Sequence, residues 1–531
     1  MKKILIVMVA LMVLPLYVVE SSGQQQVSAS DSIAPKLTCS DQLTKNFKRA
    51  ETTFTSTTLV PATKDLPEYC DVRGTILPEI GFAVKLPTRW NGRLYMVGNG
   101  GKAGNIEHNA MEVGLKQGYA ATGTDTGHDN KKEPGASFAR NNREKEIDFG
   151  FLAVHETAAT AKEIIGAYYG RAPAFSYFVG CSTGGRQGLM EAQRYPRDFN
   201  GIISGSPVYN YLSEQMLAPW YMQAMLTPDS VGIGPVPIKN KIIPIEKLDA
   251  LGKAVYEKCD ALDGLKDGII TDPRKCPFDP EKDVSVCAGG SDNATCFTPA
   301  QINILKKVYG GMYVNGQLIW PTLSPGAEPP EPGAPTPAFG GWDTWLIGRG
   351  TDRPYIYLLM WDAFKYLCFE RDDPDYEFVT DFNIDRDASK LDFMRRFLDA
   401  TDADLSLFFK NGGKLMMSHG WGDAGVPPLG SIRYYERVFD ALGPQAKESF
   451  RLYMVPGMYH CGGGPGPNTF DLLSPLAKWV EGGVAPDGVV ASHIKDGKID
   501  RTRPLCPYPQ VPRYKGNGSI DEASNFVCAE P

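Results

Sequence analysis

The sequence has no basic patch, no internal repeat and, beyond its N-terminus, no long apolar run. Its 55 Lys and Arg residues are outnumbered by 62 Asp and Glu residues, and aromatic side chains are not interleaved with cationic ones. Nucleic acid is therefore not expected as a partner. Because no later stretch is apolar enough or long enough to cross a bilayer, we also expect no stable association with a membrane.

The N-terminus has the pattern of a signal peptide. Residues 1–3 carry two lysines, residues 4–19 are rich in apolar side chains, and small residues follow at 21–23. This order predicts a cleavable signal peptide over residues 1–23 and a secreted or periplasmic protein. The alternative is an uncleaved anchor, because the apolar segment is almost long enough to span a membrane. No cysteine lies directly after that segment, which argues against a lipid anchor.

In an exported chain, 11 cysteines predict a set of disulfides with one thiol left over. Spacing favours three local pairs and a fourth pair close to the mature N-terminus. These pairs are Cys259–Cys276, Cys287–Cys296, Cys506–Cys528 and Cys39–Cys70, and Cys368 is left unpaired. Sequence alone does not fix this connectivity.

Cys181 and Cys461 remain, and each adjoins a residue that is suited to catalysis. Cys181 precedes Ser182 within Gly-Cys-Ser-Thr-Gly, which matches the G-x-S-x-G pattern of a nucleophile elbow. Cys461 directly follows His460. If the two cysteines are bonded, Ser182 and His460 lie on adjoining backbone, and a serine nucleophile needs a base within roughly 3 Å. This arrangement indicates a secreted serine ester hydrolase.

Strand and helix patterns surround the motif as a nucleophile elbow requires. A short apolar strand at 175–179 leads into it, a helix is predicted over 187–195, and a strand follows at 201–204. Other strands are predicted at 93–97, 119–122, 414–418 and 451–455, with helices over 151–169 and 472–480. Strands that alternate with helices predict an α/β fold, with a mostly parallel sheet flanked by helices.

Residues 208–400 differ in composition from the segments on either side. They contain a Pro- and Gly-rich stretch at 325–337, four clustered cysteines and many aromatic side chains. We predict that this segment is a large lid domain inserted into an α/β-hydrolase core. The two parts of the core are then residues 24–207 and 401–531.

An α/β-hydrolase orders its catalytic residues as serine, acid and histidine, which leaves His460 and His493 as candidate bases. His460 follows a predicted strand and lies in a glycine-flanked loop, so we expect it to be the base rather than a structural histidine. His493 lies in an ordinary late segment. His419 precedes the acid candidate, and it either lines the pocket or fills space. The other histidines, His108, His128 and His155, precede the serine.

Asp423 is the candidate acid, because it lies just past the strand predicted at 414–418. A carboxylate there can fix the tautomer of the histidine and stabilise the imidazolium that forms during the reaction. Asp440 is the main alternative, although its neighbours are typical of a surface helix. Asp402 and Asp404 precede the strand and are expected to cap or solvate a helix.

The oxyanion that forms in acyl transfer needs preorganised N–H donors. One donor is expected to be the amide of Thr183, which follows the nucleophile. The other is expected from Gly100 or Gly101, in the glycine-rich turn after the strand at 93–97, where glycine permits close approach of the backbone. A plain tight turn is the alternative for these two glycines.

A second group of polar residues lies in the predicted lid. Three carboxylates close together suit Ca²⁺, although the spacing does not match an EF-hand loop. The expected ligands are the side chains of Asp260, Asp263 and Asp267 and the carbonyl groups of Leu265 and Ile269, with a Cys259–Cys276 disulfide closing the loop. A structural role is expected, and a solvated acidic turn is the alternative.

Cys181-Ser182, Asp423 and His460-Cys461 together resemble the signature of the tannase/feruloyl esterase family, in which the two cysteines bridge the serine and the histidine. The lid aspartates and their neighbours resemble the calcium site of the same family. The resemblance implies a substrate that is a small aromatic ester, of the feruloyl or galloyl type, hydrolysed through an acyl-serine. Mono(hydroxyethyl) terephthalate is the alternative ester, because a hydrolase of that compound belongs to this family.

Two further functions stay open on the same fold. One is a peptidase or acyltransferase, which the elbow motif does not distinguish from an esterase. The other is a binding protein without catalytic activity, because a fold does not by itself specify a function. The complete set of serine, acid and histidine argues against the second.

Overall fold

The structure is a computed structural model that describes residues 32–40, 43, 45, 47, 49, 51–226, 241–330, 339–349 and 352–531. The predicted signal peptide, residues 1–23, lies outside the described residues, as does part of the Pro- and Gly-rich stretch at 325–337. Within the described ranges, no helix is both long enough and apolar enough to cross a membrane.

A nine-stranded sheet forms the centre of the molecule, in the order β1-β2-β3-β5-β4-β6-β7-β10-β11. Its strands are β1 (Thr52–Val60), β2 (Tyr69–Ile76), β3 (Ile80–Pro87), β4 (Arg93–Val97), β5 (Ala120–Thr124), β6 (Phe175–Cys181), β7 (Gly201–Gly205), β10 (Lys414–Gly420) and β11 (Phe450–Val455). The pairs from β5 through β11 are parallel, and those from β1 through β3 to β5 are antiparallel. The sheet is therefore mostly parallel.

Within the described ranges, six more strands form short antiparallel hairpins outside the central sheet. They are β8 (Met312–Val314) with β9 (Gln317–Trp320), β12 (Val489–Lys495) with β13 (Lys498–Leu505), and β14 (Val511–Tyr514) with β15 (Phe526–Ala529). The last two hairpins follow the final strand of the sheet, so the C-terminal part of the chain packs beside the core.

Helices connect the strands and cover both faces of the sheet. They are α1 (His108–Lys116), α2 (Arg143–Ile147), α3 (Ala153–Tyr169), α4 (Thr183–Arg194), α5 (Tyr211–Gln215), α6 (Leu217–Met225), α7 (Leu248–Cys259), α8 (Pro280–Asp283), α9 (Pro299–Gly310), α10 (Tyr355–Met360), α11 (Ala363–Tyr366), α12 (Phe378–Asp381), α13 (Ile384–Asp387), α14 (Asp392–Leu398), α15 (Ser406–Lys410), α16 (Leu429–Leu442) and α17 (Leu473–Gly482). π-Helical turns cover Asp148–Leu152 and Asp343–Ile347.

Side chains alternate between the two faces of the parallel strands and so build two hydrophobic cores. On β10, Leu415 and Met417 belong to the larger core, whereas Met416 belongs to the core that contains Trp479 of α17. This alternation follows from the two-residue period of a strand. A strand of this kind must be apolar on both faces, which explains the continuous apolar runs that reveal these strands in the sequence.

The chain between β7 and β10 adds no strand to the central sheet within its described residues. It contains helices α5 to α15, the hairpin of β8 and β9, and the disulfides Cys259–Cys276 and Cys287–Cys296. Many of its buried residues, among them Trp342 and Trp345, belong to the same hydrophobic cluster as Leu189 of α4. The inserted segment therefore packs directly on the core, on the side of the helix that follows the elbow.

The predicted α/β fold is confirmed, and the strands and helices predicted around the elbow are present to within a few residues at each end. The helix predicted over 187–195 begins earlier, at Thr183, directly after the serine. The antiparallel strands β1 to β3 and the C-terminal hairpins were not predicted, because they lack the continuous apolar runs of the central strands.

Candidate active site

Ser182 lies at the tight turn that joins β6 to α4. Its backbone has φ 61° and ψ −122°, a strained conformation for a residue with a side chain. Glycines make the turn possible, because a Cβ atom on Gly180 would lie 2.5 Å from the backbone of Gly184. A Cβ atom on Gly185 would lie 2.4 Å from the carbonyl oxygen of Gly205. These contacts explain why glycine is present at positions 180 and 185, on either side of the serine.

A disulfide joins Cys181 to Cys461, with the two Cα atoms 6.0 Å apart. The structure also contains the four other predicted pairs, Cys39–Cys70, Cys259–Cys276, Cys287–Cys296 and Cys506–Cys528. Cys368 is free and buried. Because Ser182 and His460 are the immediate neighbours of the bonded cysteines, the disulfide ties the elbow to the loop that carries His460.

His460 and Asp423 form a buried pair, with Nδ1 of the histidine 2.7 Å from Oδ2 of the carboxylate. Asp423 lies in the loop after β10, where its Oδ1 accepts the N–H groups of Gly425 at 2.9 Å and Val426 at 2.8 Å. The carboxylate is thus fixed by its own loop. A histidine that donates Nδ1–H to such a carboxylate has Nε2 as its basic nitrogen.

Asp423 is held in its ionised form despite its burial. Burial alone would raise the pKa of this carboxyl group, but the charge of His460 and the hydrogen bonds from His419 and His460 lower the pKa below its ordinary value. The carboxylate is therefore ionised around pH 7, and both of its oxygens accept hydrogen bonds.

His419 is a second histidine on the same carboxylate, and its role was not predicted. Its Nε2 lies 3.1 Å from Oδ2 of Asp423 and 3.0 Å from the carbonyl oxygen of Val426. Its Nδ1 lies 2.7 Å from the hydroxyl oxygen of Ser431 on α16. The only signal of this contact in the sequence is the spacing of four residues between His419, at the end of a strand, and Asp423, in the loop that follows.

The inserted segment reaches His460 through an aromatic side chain. The ring of Trp345 meets the imidazole edge to face, with ring centroids 5.2 Å apart and an interplanar angle of 76°. Tyr355 in turn packs against Trp345 with centroids 4.9 Å apart. The surroundings of His460 are therefore partly aromatic, and they come from the segment predicted as a lid.

The loop after β4 contacts the elbow at the position expected for an oxyanion hole. The hydroxyl of Thr183 donates to the carbonyl oxygen of Gly101 at 2.6 Å. Asn99 is locked to Gln187 of α4 by two hydrogen bonds of 2.9 and 3.0 Å. A Cβ atom on Gly100 would meet nothing within 4 Å, so there is open space beside this residue. The structure brings Thr183, Gly100 and Gly101 together, and the choice between the two glycines stays a prediction.

The alternative candidates for the catalytic histidine and acid make contacts outside the proposed triad. His493 is on β12, where Nδ1 lies 2.6 Å from Oδ1 of Asp500. Asp440 is exposed on α16. Asp402 accepts the N–H of Asp404 at 2.9 Å in the turn before α15. None of these described contacts involves Ser182 or His460.

The predicted calcium ligands lie on the loop that follows α7, which the Cys259–Cys276 disulfide closes. Oδ1 of Asp260 accepts the N–H groups of Asp267 at 3.3 Å and Gly268 at 3.0 Å, so the loop folds around this carboxylate. Oδ1 of Asp263 accepts the N–H of Leu265 at 2.9 Å. Ile269 is buried directly after the loop.

Asp267 also contacts the C-terminal hairpin. Its carboxylate is 2.7 Å from the guanidinium of Arg503, and its carbonyl oxygen accepts from Arg501 at 3.1 Å. Burial raises the pKa of Asp267, the two arginines lower it, and the charges of Asp263 and Asp260 raise it further. The three carboxylates are thus close enough to repel one another, and a bound cation would offset this repulsion. Oxygen donors of this type fit Ca²⁺.

The described residues contain one group of at least three metal-binding side chains whose ligand atoms all lie within 4.8 Å of one another, and it is not in this loop. It consists of His155, Glu191 and Asp198. The ammonium of Lys162 lies 3.7 Å from Oδ1 of Asp198, so a cation already accompanies this group. The carboxylates of Asp260, Asp263 and Asp267 do not form such a group, so they would have to draw closer together to bind one ion.

Comparison with known proteins decides the family. The family model for tannase and feruloyl esterase matches residues 64–529, which is most of the chain. The chain belongs to the tannase and feruloyl esterase family. Its membership, together with the named esterases that it resembles, makes it a carboxylic ester hydrolase.

Two relatives and one solved structure of the tannase and feruloyl esterase family illustrate the similarity. A mono(2-hydroxyethyl) terephthalate hydrolase of Piscinibacter sakaiensis is 34% identical over 524 residues, covering 88% of this chain and 85% of that protein. A probable feruloyl esterase B-1 of Aspergillus oryzae is 31% identical over 463 residues, with coverages of 83% and 80%. The crystal structure of feruloyl esterase B from Aspergillus oryzae superposes with a TM-score of 0.80 at 26% identity, covering 92% of this chain and 99% of that one.

Proposed function

We propose that this enzyme hydrolyses carboxylic esters of hydroxylated aromatic acids through an acyl-serine intermediate on Ser182. The observation that carries the proposal is the disulfide Cys181–Cys461, which ties the strained serine elbow to the loop of His460. The hydrogen bond between His460 and Asp423 completes the order of serine, acid and histidine that α/β-hydrolases use.

In the proposed reaction, Oγ of Ser182 attacks the ester carbonyl carbon while Nε2 of His460 takes the hydroxyl proton. Asp423 accepts Nδ1–H and stabilises the imidazolium that results. The tetrahedral oxyanion is held by the N–H of Thr183 and by that of Gly100 or Gly101. His460 then gives its proton to the leaving alcohol, and a water molecule repeats the sequence to release the acid.

Two observations support an aromatic acyl group. The first is that the relative from Aspergillus oryzae is a probable feruloyl esterase. The second is the edge-to-face contact of Trp345 with His460, because a lid side chain of this kind offers a ring to an aromatic substrate. We propose that residues 208–400 act as a lid that covers the acyl group.

The relative from Piscinibacter sakaiensis favours a second candidate substrate, mono(2-hydroxyethyl) terephthalate. This ester also presents an aromatic acyl group, so the same triad and lid would serve. The two candidates differ in the group opposite the ester, which is a hydroxyl in one and a carboxylate in the other.

A panel of esters tests the proposal and separates the candidates. It consists of methyl ferulate, methyl gallate, a galloylated tannin, mono(2-hydroxyethyl) terephthalate, a p-nitrophenyl acetate and a peptide amide. We expect kcat/KM for at least one aromatic ester to exceed that for the acetate by at least tenfold. Faster hydrolysis of the peptide amide or the acetate than of every aromatic ester would contradict the proposal.

Two further parts of the proposal concern the mature protein. The loop of Asp260, Asp263, Leu265, Asp267 and Ile269 is proposed to hold a structural Ca²⁺ that fastens α7 to the C-terminal hairpin.

The protein is proposed to be secreted or periplasmic, which the five disulfides support, because disulfides persist in oxidising compartments. N-terminal sequencing of the exported protein should begin close to residue 24, and a start at residue 1 would contradict cleavage.

A further inference from the structure

His419 is fully buried and touches the acid of the proposed triad. Its Nε2 faces Oδ2 of Asp423 at 3.1 Å and the carbonyl oxygen of Val426 at 3.0 Å. Both of those atoms accept hydrogen bonds. Nε2 of His419 must therefore carry a hydrogen, since an unprotonated nitrogen would face two acceptors without a donor between them.

The other ring nitrogen of His419 is bound to Ser431. Its Nδ1 lies 2.7 Å from the hydroxyl oxygen of Ser431, which is itself buried on α16. A serine hydroxyl can donate to this nitrogen, so the ring satisfies all its contacts as a neutral imidazole with its hydrogen on Nε2. Ser431 thereby fixes the tautomer that points a donor at Asp423.

Asp423 then receives four donors on its two oxygens. Oδ1 accepts the backbone N–H groups of Gly425 and Val426, and Oδ2 accepts one N–H from His460 and one from His419. The oxygen that faces the base is therefore shared between two histidines. Any change in the bond from His419 changes the charge that Oδ2 offers to His460.

We propose that His419 is a positioning residue of the reaction, which orients Asp423 and moderates the charge that its carboxylate presents to His460. The inference rests on the proposed triad. The N–H of His419 holds Oδ2 in place while His460 gains and loses its proton. It also takes up part of the negative charge, so the imidazolium of His460 is stabilised less than it would be by an unshared carboxylate.

This arrangement has a consequence for the dependence of activity on pH. His460 and His419 contact Asp423, and the charge of Asp423 also acts on the buried carboxyl group of Glu214 on α5. Burial raises the pKa of Glu214 well above its ordinary value, and the charges of Asp399 and Asp423 raise it further, which favours the neutral form of this group. If the N–H of His419 is removed, the full charge of Asp423 acts on His460. The imidazolium then persists to higher pH, and the acid limb of the kcat/KM profile moves upward.

The test compares His419→Leu with His419→Gln, using the pH profile of kcat/KM for the best aromatic ester. Leucine fills the space without a donor, whereas the amide of glutamine reaches as far as Nε2 and donates a hydrogen bond. We expect His419→Leu to lose 10-fold to 100-fold in kcat and to shift the acid limb upward by at least half a pH unit. His419→Gln should restore kcat to within about fivefold and leave the acid limb where it is in the unmodified enzyme.

Ser431→Ala gives an independent test with a smaller perturbation. Without its hydroxyl, the hydrogen of His419 is free to move to Nδ1, and we expect a several-fold loss of kcat with an acid limb shifted in the same direction as in His419→Leu. His493→Gln is the matched control, since His493 pairs with Asp500 away from the triad, and its profile should not change.

Three results would overturn the inference. The first is a folded His419→Leu variant with normal kcat and an unshifted profile. The second is a His419→Gln variant that is as impaired as His419→Leu, which would assign the loss to packing. The third, which decides the matter if His419→Leu does not fold, is a Ser431→Ala variant with unchanged kcat and profile. A wrong assignment of the triad can be distinguished from a wrong role for His419, because Asp423→Asn would retain activity only if the triad is wrong.

Discussion

Cys181 and Cys461 are 280 residues apart in the sequence and are bonded to each other in the structure, with Cα atoms 6.0 Å apart. Each is the immediate neighbour of a residue of the proposed triad, Ser182 in one case and His460 in the other. The covalent bond therefore limits how far the elbow and the base loop can separate.

The first prediction concerns this bond. Replacing Cys181 and Cys461 together by alanine should lower kcat by ~100-fold, since a displacement of about 1 Å between reacting groups has an effect of this size. It should also lower the free energy of unfolding by up to roughly 5 kcal/mol in the chain-entropy model. Kinetics well below the melting temperature, together with denaturant unfolding, measure the two effects separately.

The control for the disulfide is the double replacement of Cys287 and Cys296. That bond closes a short loop, with a sequence separation of 9, and it lies in the inserted segment. Its loss should lower stability by about 3 kcal/mol at most, in the same model, and leave kcat unchanged. A folded Cys181/Cys461 variant with normal turnover would contradict the role of the bond, as would peptide mapping that finds either cysteine paired elsewhere.

The second prediction compares the two candidate acids. Asp423→Asn should lower kcat by roughly 10⁴-fold, because an amide in place of the carboxylate favours the wrong tautomer of the histidine. Asp440→Asn should change kcat by less than twofold, since Asp440 is exposed on α16. Steady-state kinetics of the two variants decide between them. An inactive Asp440→Asn with an active Asp423→Asn would show that the acid is assigned wrongly.

Much of the core could be predicted because its signals are local. The apolar runs of β4, β6, β7, β10 and β11 are continuous, since both faces of a central parallel strand are buried. The elbow motif fixes where a strand must end and a helix must begin. Asp423 could be selected because it follows one of these strands, and His460 because it follows another.

The features that could not be predicted from the sequence depend on contacts that no local pattern signals. Arg503 pairs with Asp267 although 236 residues separate them, and neither residue has a neighbouring pattern that signals the pair. The sharing of Asp423 by His419 depends on how the loop after β10 turns back on its own strand. β1 alternates between partly and fully exposed positions at the edge of the sheet, so its Thr-rich sequence lacks a buried face to recognise.

The third prediction concerns the backbone of the elbow. Gly185→Ala should destabilise the fold by about 2 kcal/mol or more and reduce activity, because overpacking against a fixed backbone has costs of this order. The added Cβ would lie 2.4 Å from the carbonyl oxygen of Gly205 on β7. Denaturant unfolding and ester turnover measure both effects.

Gly166→Ala on α3 is the control for this substitution. A Cβ at position 166 would meet nothing within 4 Å, and alanine is the better helix former by about 1 kcal/mol. This variant should be at least as stable as the unmodified protein and fully active. Equal stability of the Gly185→Ala variant would show that β7 and the elbow are not in close contact.

The fourth prediction concerns calcium. Removal of Ca²⁺ by a chelator should lower the melting temperature, since a ligand of the folded state stabilises it by mass action. It should leave kcat nearly unchanged well below that temperature, because none of the described hydrogen bonds or ion pairs of Asp260, Asp263 and Asp267 involves a residue of the triad. Calorimetry with and without chelator, combined with metal analysis, measures the effect.

Two variants sharpen the calcium experiment. Asp263→Asn removes a proposed ligand and should abolish the response to chelator. Asp272→Asn, whose carboxylate pairs with Arg274 later in the same loop and is not a proposed ligand, should keep that response. A melting temperature that chelator does not change, with no calcium bound to the protein, would return the three aspartates to a solvated acidic turn.

The central claim is that Ser182 is the nucleophile and carries the acyl group during turnover. Rapid quenching of the enzyme with an aromatic ester, followed by peptide mass spectrometry, tests it most directly. We predict an acyl adduct on the peptide that contains Ser182, and no adduct or turnover in the Ser182→Ala variant. An adduct on any other residue, or a Ser182→Ala variant free of unmodified enzyme that still turns over the ester, would contradict the account.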